Sequence, residues 1–334
     1  MYSPQDFKSD QEVRWCPGCG DHAVLAAVQR VLPEVAEAIG QPKENFVFIS
    51  GIGCSSRFPY YMNTFGMHTI HGRATAISTG VRVANPKLCV WQATGDGDAL
   101  AIGGNHFIHA IRRNIDLNIL LFNNEIYGLT KGQYSPTSKL GLVTKTSPYG
   151  TVERPFNPGE LVIGATGTFF ARSLDVELKL SAECMKAAAL HQGCAVVEVM
   201  QNCVIFNDGT HSAFTDKAVR DDRCIVLQHG QPMIFGKNKD KGIVLDGLKL
   251  RAVQLDSASE KRVLVHDAHE SDRTVHNMLA AMKAPDMPLA LGIIRAVNEP
   301  TYNDRVQEQL KQVMENRTIT CMDELLHSGE TWTV

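Results

Sequence analysis

A chain of 334 residues is long enough for one large α/β domain with an appended segment, and 44% hydrophobic residues support an ordinary core. The formal net charge of −3 argues against nucleic acid as the main partner. No run of about 18 apolar residues occurs, so no membrane partner or membrane span is predicted. The polar N-terminus lacks an apolar signal core, and we expect a cytoplasmic protein whose nine cysteines do not form disulfides.

Short apolar runs alternate with amphipathic stretches along the first two thirds of the chain. The predicted elements are, in order, an extended arm over residues 1–14, helix 22–32, strand 46–50, helix 74–84, strand 88–91, helix 99–116, strand 117–122, helix 158–166, strand 168–172, helix 175–191 and strand 195–200. This alternation predicts an α/β fold in which a parallel sheet carries helices on both faces.

From about residue 205 the pattern changes. We predict one domain over residues 1–205 and a small C-terminal extension over residues 206–334. The elements expected in the extension are a hairpin turn at 245–248, helix 272–283, strand 289–295 and helix 304–316.

The stretch from Thr94 to Asn124 reads as strand, helix and strand, the size of one βαβ unit. A right-handed crossover places Asp96 and Asn124 at the carboxyl ends of two parallel strands, where open α/β sheets bind ligands. A carboxylate, an amide oxygen and a backbone carbonyl near Ile126 are ligands of the kind that Mg²⁺ prefers.

Gly95 and Gly97 flank Asp96 and let the backbone approach a diphosphate closely. A Gly-Asp-Gly sequence alone is most often a plain turn. The asparagine pair that closes the crossover favours a cofactor site over that alternative.

Four cysteines are candidates for a metal centre. Cys54 and Cys203 each follow a short apolar run, so parallel strands bring them to the same sheet edge, and the pair Cys16 and Cys19 can fold over it. This convergence favours a four-cysteine iron–sulfur cluster. Cys-x-x-Cys by itself also fits a redox dithiol or half of a zinc site. The other five cysteines are predicted to be structural: Cys89, Cys184, Cys194, Cys224 and Cys321.

Two longer motifs carry a family resemblance. Gly-Asp-Gly at residues 95–97, followed by the Asn pair at 123–124, resembles the thiamine-diphosphate motif of ThDP enzymes. Residues 95–114 and 124–133 resemble the β subunit of 2-oxoacid:ferredoxin oxidoreductases, and the resemblance covers most of residues 11–220. Residues 153–158 and 206–210 are most similar to the bacterial 2-oxoglutarate type.

The resemblance implies thiamine diphosphate, Mg²⁺ and one [4Fe–4S] cluster as cofactors, with Cys16, Cys19, Cys54 and Cys203 at the cluster-binding positions. The implied reaction is the reversible oxidative decarboxylation of a 2-oxoacid, foremost 2-oxoglutarate to succinyl-CoA and CO₂, with coenzyme A as co-substrate and ferredoxin as electron acceptor. Pyruvate and branched-chain 2-oxoacids are alternative substrates. A non-redox ThDP decarboxylase or carboligase, or a zinc-stapled binding subunit, would be alternative functions.

Further residues are predicted to contact the cofactor or substrate. His71 and Gly72 precede a helix whose N-terminus suits a phosphate, and Ser55 and Asp98 lie beside the candidate ligands. The resemblance implies two more roles, in which Leu129 supports the bent conformation of the cofactor rings and Lys131 pairs with a substrate carboxylate. A solvated loop lysine is the alternative for Lys131.

One part of a ThDP enzyme is missing from the sequence. Such enzymes place a carboxylate against the aminopyrimidine from a separate pyrimidine-binding domain, and this chain shows only one βαβ core of the required kind. The resemblance implies an α subunit that supplies this half, in an αβ pair or its dimer. Residues 128–150 form a long irregular loop, and we expect the partner to bury its apolar rim.

Overall fold

The computed structural model describes residues 2–332. Its strands are β1 (Phe46–Ser50), β2 (Phe65–His68), β3 (Cys89–Gly95), β4 (Leu117–Asn123), β5 (Phe169–Leu174), β6 (Cys194–Met200), β7 (Cys224–Leu227), β8 (Ile234–Phe235), β9 (Lys241–Asp246), β10 (Lys249–Gln254) and β11 (Leu289–Ala296). Its α-helices are α1 (Asp21–Ile39), α2 (Ala74–Ala84), α3 (Gly104–Arg113), α4 (Pro158–Gly164), α5 (Leu178–Leu190), α6 (Ser212–Thr215), α7 (Arg220–Arg223), α8 (Thr274–Ala281), α9 (Tyr302–Glu315) and α10 (Met322–Leu326).

Eight strands form the main sheet in the order β2-β1-β3-β4-β6-β5-β11-β7. All neighbours pair in parallel except β11 and β5, which are antiparallel. The central strand β4 is buried along its whole length, and its apolar side chains alternate between the two faces. Burial on both faces is the condition that parallel strands need, and it requires a helical layer on each side.

Each face of the sheet has its own apolar core. Helices α1 and α5 cover one face, where Leu120 and Phe122 of β4 pack. Helices α2, α3, α4 and α8 cover the other face, against Ile119 and Leu121. The predicted fold class, a mainly parallel sheet with helices on both faces, is confirmed.

The parallel strands bring their carboxyl ends to one edge of the sheet. β1, β3, β4 and β6 are neighbours in the sheet and run in the same direction. The segments that carry Cys54, Asp96, Asn124 and Cys203 leave these strands at that common edge. The sequence prediction of a shared edge is therefore confirmed.

Residues 206–334, predicted as a C-terminal extension, contribute to two sheets. β7 and β11 complete the main sheet, while β8, β9 and β10 form a separate three-stranded antiparallel sheet. The predicted hairpin turn joins β9 to β10. The extension packs against the main body, and a domain boundary at residue 205 stays a prediction.

Several element limits differ from the sequence prediction. Helix α1 continues through Pro33 to Ile39, because Val35 and Ala36 are buried in the core and Gly40 ends the helix in a left-handed conformation. The predicted arm holds a short 3₁₀ turn that buries Phe7 against Phe46. The arm is therefore not fully extended, because the packing of Phe7 against Phe46 favours this turn.

Two further differences concern local signals. The predicted crossover helix is a π-helical segment, Asp98–Ile102, followed by α3. Asp175 does not cap α5, because its carboxylate accepts a hydrogen bond from the Asn202 amide instead, at 2.7 Å. Across residues 2–332, every helix is too short or too polar to span a bilayer.

Candidate functional site

A cavity of about 460 Å³ opens at the carboxyl edge of the main sheet. Its walls come from the segments that follow β1, β3 and β4 and from the start of the loop after Asn124. The predicted site residues on its walls are Cys54, Ser55, His71, Gly95, Asp96, Gly97, Asp98, Asn124, Ile126 and Leu129. The structure thus brings together most of the residues that the sequence singled out.

Asp96 is a buried carboxylate on the cavity wall, with only 2% of its surface exposed. Its Oδ2 accepts hydrogen bonds from the hydroxyls of Ser135, at 2.5 Å, and Thr137. Burial raises the pKa of Asp96 to about 6, although these two hydrogen bonds lower it. Among the described residues no cationic side chain compensates this charge, and a bound cation would do so.

Asn124 and Ile126 provide neutral oxygens beside Asp96. The Asn124 Oδ1 accepts from the Ile126 amide at 3.2 Å, and its Nδ2 donates to Gln201 Oε1 at 2.9 Å. Within residues 2–332, no donor bonds to the Ile126 carbonyl. One buried carboxylate and two neutral oxygens on one wall fit the donor set of a Mg²⁺ ion that also binds phosphate oxygens.

Asp98 makes hydrogen bonds to two different chain segments beside the cavity. Its Oδ1 accepts from the backbone amide of Gly72 and lies within hydrogen-bonding distance of His71 Nδ1, each at 2.7 Å. Its Oδ2 accepts from the Thr94 hydroxyl at 2.7 Å. Because both oxygens are engaged within the chain, the structure favours a positioning role for Asp98 over direct cofactor contact.

Gly72 does not line the cavity, contrary to its predicted role at a phosphate site. Its amide is engaged by Asp98, and its φ of +69° is favourable only for glycine. A side chain at this position would also lie 2.5 Å from the Gly103 nitrogen. Gly72 is therefore needed for the turn, while the neighbouring His71 ring reaches the cavity.

The four candidate cluster cysteines lie on the side of the cavity next to Gly128. A Cβ at Gly128 would be 3.4 Å from Cys203 Sγ and 3.7 Å from Cys54 Sγ. The Cys-x-x-Cys segment is held there by the Gly20 amide, which donates to the Asn202 carbonyl at 3.2 Å. Burial raises the pKa of Cys19, and the charges of Asp21, Cys203 and Cys54 raise it further.

These thiols do not close around one small ion. In the part of the chain that the structure describes, no three His, Cys, Asp or Glu side chains are close enough to hold a single metal ion. A four-cysteine iron–sulfur cluster at these thiols stays a prediction. The remaining cysteines are apart from this group. Cys89, Cys184, Cys194 and Cys224 pack in the apolar cores, and Cys321 is exposed.

A buried ion pair joins the neighbouring strands β5 and β6. Arg172 Nε donates to Glu198 Oε2 at 2.7 Å, and both side chains are almost fully buried. The other oxygen, Glu198 Oε1, accepts from Asn123 Nδ2 at 2.7 Å. Asn123 Oδ1 lies 3.0 Å from the Thr137 hydroxyl, which also contacts Asp96. The single Thr137 hydroxyl proton is donated either to Asn123 Oδ1 or to Asp96, so polar contacts extend from β5 to the surroundings of the predicted magnesium ligand.

We expect Glu198→Gln to destabilise the protein by on the order of 3 kcal/mol, because the buried Arg172 guanidinium loses its counter-charge. Urea denaturation followed by circular dichroism measures this. The matched control is Glu177→Gln, which breaks a partly exposed pair with Arg220 and should cost less than about 1 kcal/mol. Equal losses in the two variants would contradict a special role for the buried pair.

The predicted substrate residues lie at the mouth of the cavity. Leu129 lines it and is partly exposed, whereas Lys131 is exposed and does not line it. Lys131 adopts a φ of +76° within a tight turn, and its own backbone amide donates to the Gly128 carbonyl. The roles of both residues stay predictions.

The sequence analysis missed several residues of the site. Ser135 and Thr137 come from the irregular loop, and their hydroxyls reach back to Asp96. Tyr127 donates its hydroxyl to the Gly97 carbonyl at 2.9 Å, and its ring leaves no room for a side chain at Gly97. The dense Ser and Thr content of residues 135–138 was the only sequence signal for these contacts.

Comparisons with known proteins give a family model and several similar chains. Residues 51–199 match the family model described as the thiamine pyrophosphate enzyme, C-terminal TPP binding domain. The chain is 48% identical to 2-oxoglutarate oxidoreductase subunit KorB of Mycobacterium tuberculosis, over 99% of this chain and 88% of that protein. It is 46% identical to the β subunit of 2-oxoacid:ferredoxin oxidoreductase 1 of Aeropyrum pernix, over 58% of this chain and 60% of that protein.

A solved structure is similar over nearly the whole chain. It is a 2-oxoglutarate:ferredoxin oxidoreductase from Magnetococcus marinus with 2-oxoglutarate, coenzyme A and succinyl-CoA bound. The TM-score is 0.78 at 30% sequence identity, and the match covers 99% of this chain and 97% of that one. The region matched by the family model includes every cavity wall described above.

Proposed function

The chain belongs to the family of 2-oxoglutarate:ferredoxin oxidoreductase β subunits, and we propose that it carries the magnesium, diphosphate and cluster sites of such an enzyme. The proposed reaction converts 2-oxoglutarate and coenzyme A to succinyl-CoA and CO₂ and passes two electrons to ferredoxin. One observation carries the proposal. Asp96, Asn124 and Cys54 line one cavity, and the Cys203 thiol lies next to Gly128 of its wall.

The oxygen donors suit a diphosphate held through Mg²⁺. Asp96, Asn124 and the Ile126 carbonyl would hold the ion, and phosphate oxygens would complete its octahedral shell. Gly97 lets the backbone turn beneath the Tyr127 ring. Thiamine diphosphate, when bound, supplies the electron sink that allows CO₂ to leave a 2-oxoacid.

The thiol donors suit one [4Fe–4S] cluster. Cys16, Cys19, Cys54 and Cys203 would be its four thiolate ligands, and all-thiolate ligation gives the low potential that ferredoxin requires. Cys54 and Gly128 both line the cavity, and the Cys54 and Cys203 thiols lie next to Gly128. A cluster at this place would be separated from the cofactor by little more than one backbone segment, which favours direct passage of single electrons.

Exposed apolar side chains of the long loop, here called its apolar rim, support a partner subunit. Within this loop, Leu129, Leu140, Val143 and Tyr149 expose large parts of their side chains, and Leu129 also lines the cavity. Exposed apolar side chains grouped in one loop are typical of an interaction site. We propose that an α subunit covers this rim and supplies the carboxylate that activates the cofactor, in an αβ pair or its dimer.

For the substrate we propose 2-oxoglutarate, with Lys131 as the candidate contact to a substrate carboxylate and Leu129 as the support of the cofactor rings. The Mycobacterium tuberculosis relative is named for 2-oxoglutarate, and the similar structure holds 2-oxoglutarate. Pyruvate and branched-chain 2-oxoacids are the competitors to be compared in the same assay.

The test is 2-oxoacid-dependent reduction of a viologen dye with thiamine diphosphate, Mg²⁺ and coenzyme A, by the chain alone and by the complex with its α subunit. We expect activity only in the complex and the highest kcat/KM for 2-oxoglutarate. Losing a positioned acid–base group typically costs about 10²–10⁴-fold in rate, so the isolated chain should be slower by at least that factor. Full activity of the isolated chain would overturn the subunit assignment.

A further inference from the structure

One buried side chain contacts both donor sets. Gln201 directly follows β6, and only 1% of its surface is exposed. Its Oε1 accepts from Asn124 Nδ2 at 2.9 Å, and its Nε2 donates to Cys19 Sγ at 3.3 Å. The same residue is thus hydrogen-bonded to a predicted magnesium ligand and to a predicted cluster ligand.

The orientation of the Gln201 amide is fixed by its surroundings. Nε2 also donates to the Asn202 carbonyl at 2.5 Å, and a carbonyl can only accept. Oε1 must therefore face Asn124, and its only available donor there is the Asn124 NH₂ group. The backbone is held as well, because the Gln201 amide donates to the Asn123 carbonyl at 2.9 Å.

This arrangement determines which atom Asn124 presents to the cavity. With Nδ2 bound to Gln201, Oδ1 is directed toward the Ile126 amide and the metal position. An inverted Asn124 amide would place two donors against a cation. Side chains that orient a metal ligand in this way typically contribute about 10–100-fold to metal affinity.

The Nε2 group of Gln201 donates to Cys19 Sγ, which would be a thiolate ligand of the proposed cluster. An N–H donor stabilises negative charge on sulfur, and a ligated cluster carries more negative charge when it is reduced. Hydrogen bonds to the sulfurs are therefore among the factors that set the reduction potential of a cluster. A side chain at Gly20 would lie 2.0 Å from Asp175 Oδ2 and 2.9 Å from Gln201 Cγ, so this position has no room for one.

We propose that Gln201 is a positioning residue that joins the two sites, orienting Asn124 for magnesium through its carbonyl and raising the potential of the cluster through its N–H bond to Cys19. The inference rests on the proposed function, since it needs both cofactors. One amide makes both contacts, so replacing the whole amide is expected to change both the thiamine diphosphate affinity and the cluster potential.

Two variants separate the two contacts. Gln201→Leu removes both, whereas Gln201→Glu keeps an oxygen that accepts from Asn124 and loses the donor to Cys19. The matched control is Gln92→Leu, because Gln92 of β3 is also 1% exposed and donates to the Thr75 hydroxyl of α2, and neither residue lines the cavity. Each is prepared anaerobically as the complete complex, and iron and sulfide content establish that the cluster is loaded.

Two quantities are measured on each complex. The midpoint potential of the cluster is obtained by redox titration monitored by electron paramagnetic resonance. The Mg²⁺-dependent affinity for thiamine diphosphate is obtained by calorimetry. Gln201→Leu should shift the potential to more negative values and weaken cofactor affinity by about 10–100-fold. Gln201→Glu should shift the potential in the same direction with a much smaller loss of affinity. Gln92→Leu should change neither quantity.

An unchanged potential in Gln201→Glu would overturn the link to the cluster, and unchanged affinity in Gln201→Leu would overturn the link to magnesium. If Gln201→Leu does not assemble, the midpoint potential of the Gln201→Glu complex alone decides the cluster link. The thiamine diphosphate affinity of Gln201→Glu is then compared with that of Asp96→Asn, which removes the predicted magnesium carboxylate. An equal loss of affinity in these two variants would overturn the separation of the two contacts. Failure of the proposed function is distinguishable, since the unmodified complex would then lack iron and sulfide or bind thiamine diphosphate without Mg²⁺.

Discussion

Asp96→Asn should abolish the Mg²⁺-dependent retention of thiamine diphosphate and leave the iron–sulfur cluster in place. Asp96 is the only carboxylate among the three predicted magnesium donors, and its buried charge has no cationic partner in the described chain. Replacing it with a neutral amide removes the main attraction for the ion. We expect affinity to fall by at least about 100-fold, the upper range for losing a residue that merely orients a ligand. Calorimetric titration with and without Mg²⁺ measures it.

The loss should not come from unfolding. Burial disfavours the charged form of Asp96, and asparagine has the same shape without the charge. The control is Asp116→Asn, another carboxyl whose pKa burial raises, which pairs with Arg82 away from the cavity. Tightly bound thiamine diphosphate in Asp96→Asn would rule out the magnesium assignment.

Cys203→Ala should eliminate the cluster and with it the reduction of ferredoxin. Cys203 lies next to Gly128 beside Cys54, and it is one of the four thiolates that the proposed [4Fe–4S] cluster requires. We expect iron and acid-labile sulfide to fall together toward zero in anaerobically purified protein. Binding of thiamine diphosphate should persist, because the oxygen donors are untouched.

Cys89→Ala is the matched control for the cluster prediction. Cys89 begins β3 and packs against the apolar core, so its replacement should cost only packing, on the order of 1–3 kcal/mol. Thermal unfolding measures that cost, and metal analysis should show unchanged iron. If both variants lost iron equally, the chosen set of four ligands would be wrong.

The sequence was most informative where a residue type and a strand end coincide. Asp96, Asn124, Cys54 and Cys203 each follow an apolar run, and parallel strands have only one carboxyl edge at which such residues can meet. Periodicity and the crossover rule were therefore sufficient to predict the edge. The structure adds the cavity and the distances.

The sequence was least informative where long-range hydrogen bonds determine which side chains contact each other. Thr137 reaches Asp96 from a loop without regular structure, and Glu198 pairs with Arg172 across neighbouring strands. Gln201 directly follows the predicted strand 195–200, and no local pattern shows that its amide faces Cys19. Helix α1 passes through Pro33 because burial outweighs the local preference. Such contacts depend on the packed fold and have no period in the sequence.

Reduction of the cluster by substrate tests the account most directly. The complex of this chain with its α subunit, loaded with Mg²⁺ and thiamine diphosphate, is mixed anaerobically with 2-oxoglutarate and coenzyme A. Visible bleaching and an electron paramagnetic resonance signal of a reduced [4Fe–4S] cluster should appear, and both should be absent in the Asp96→Asn complex. A loaded, active complex in which 2-oxoglutarate is decarboxylated while the cluster of this chain stays oxidised would contradict the account.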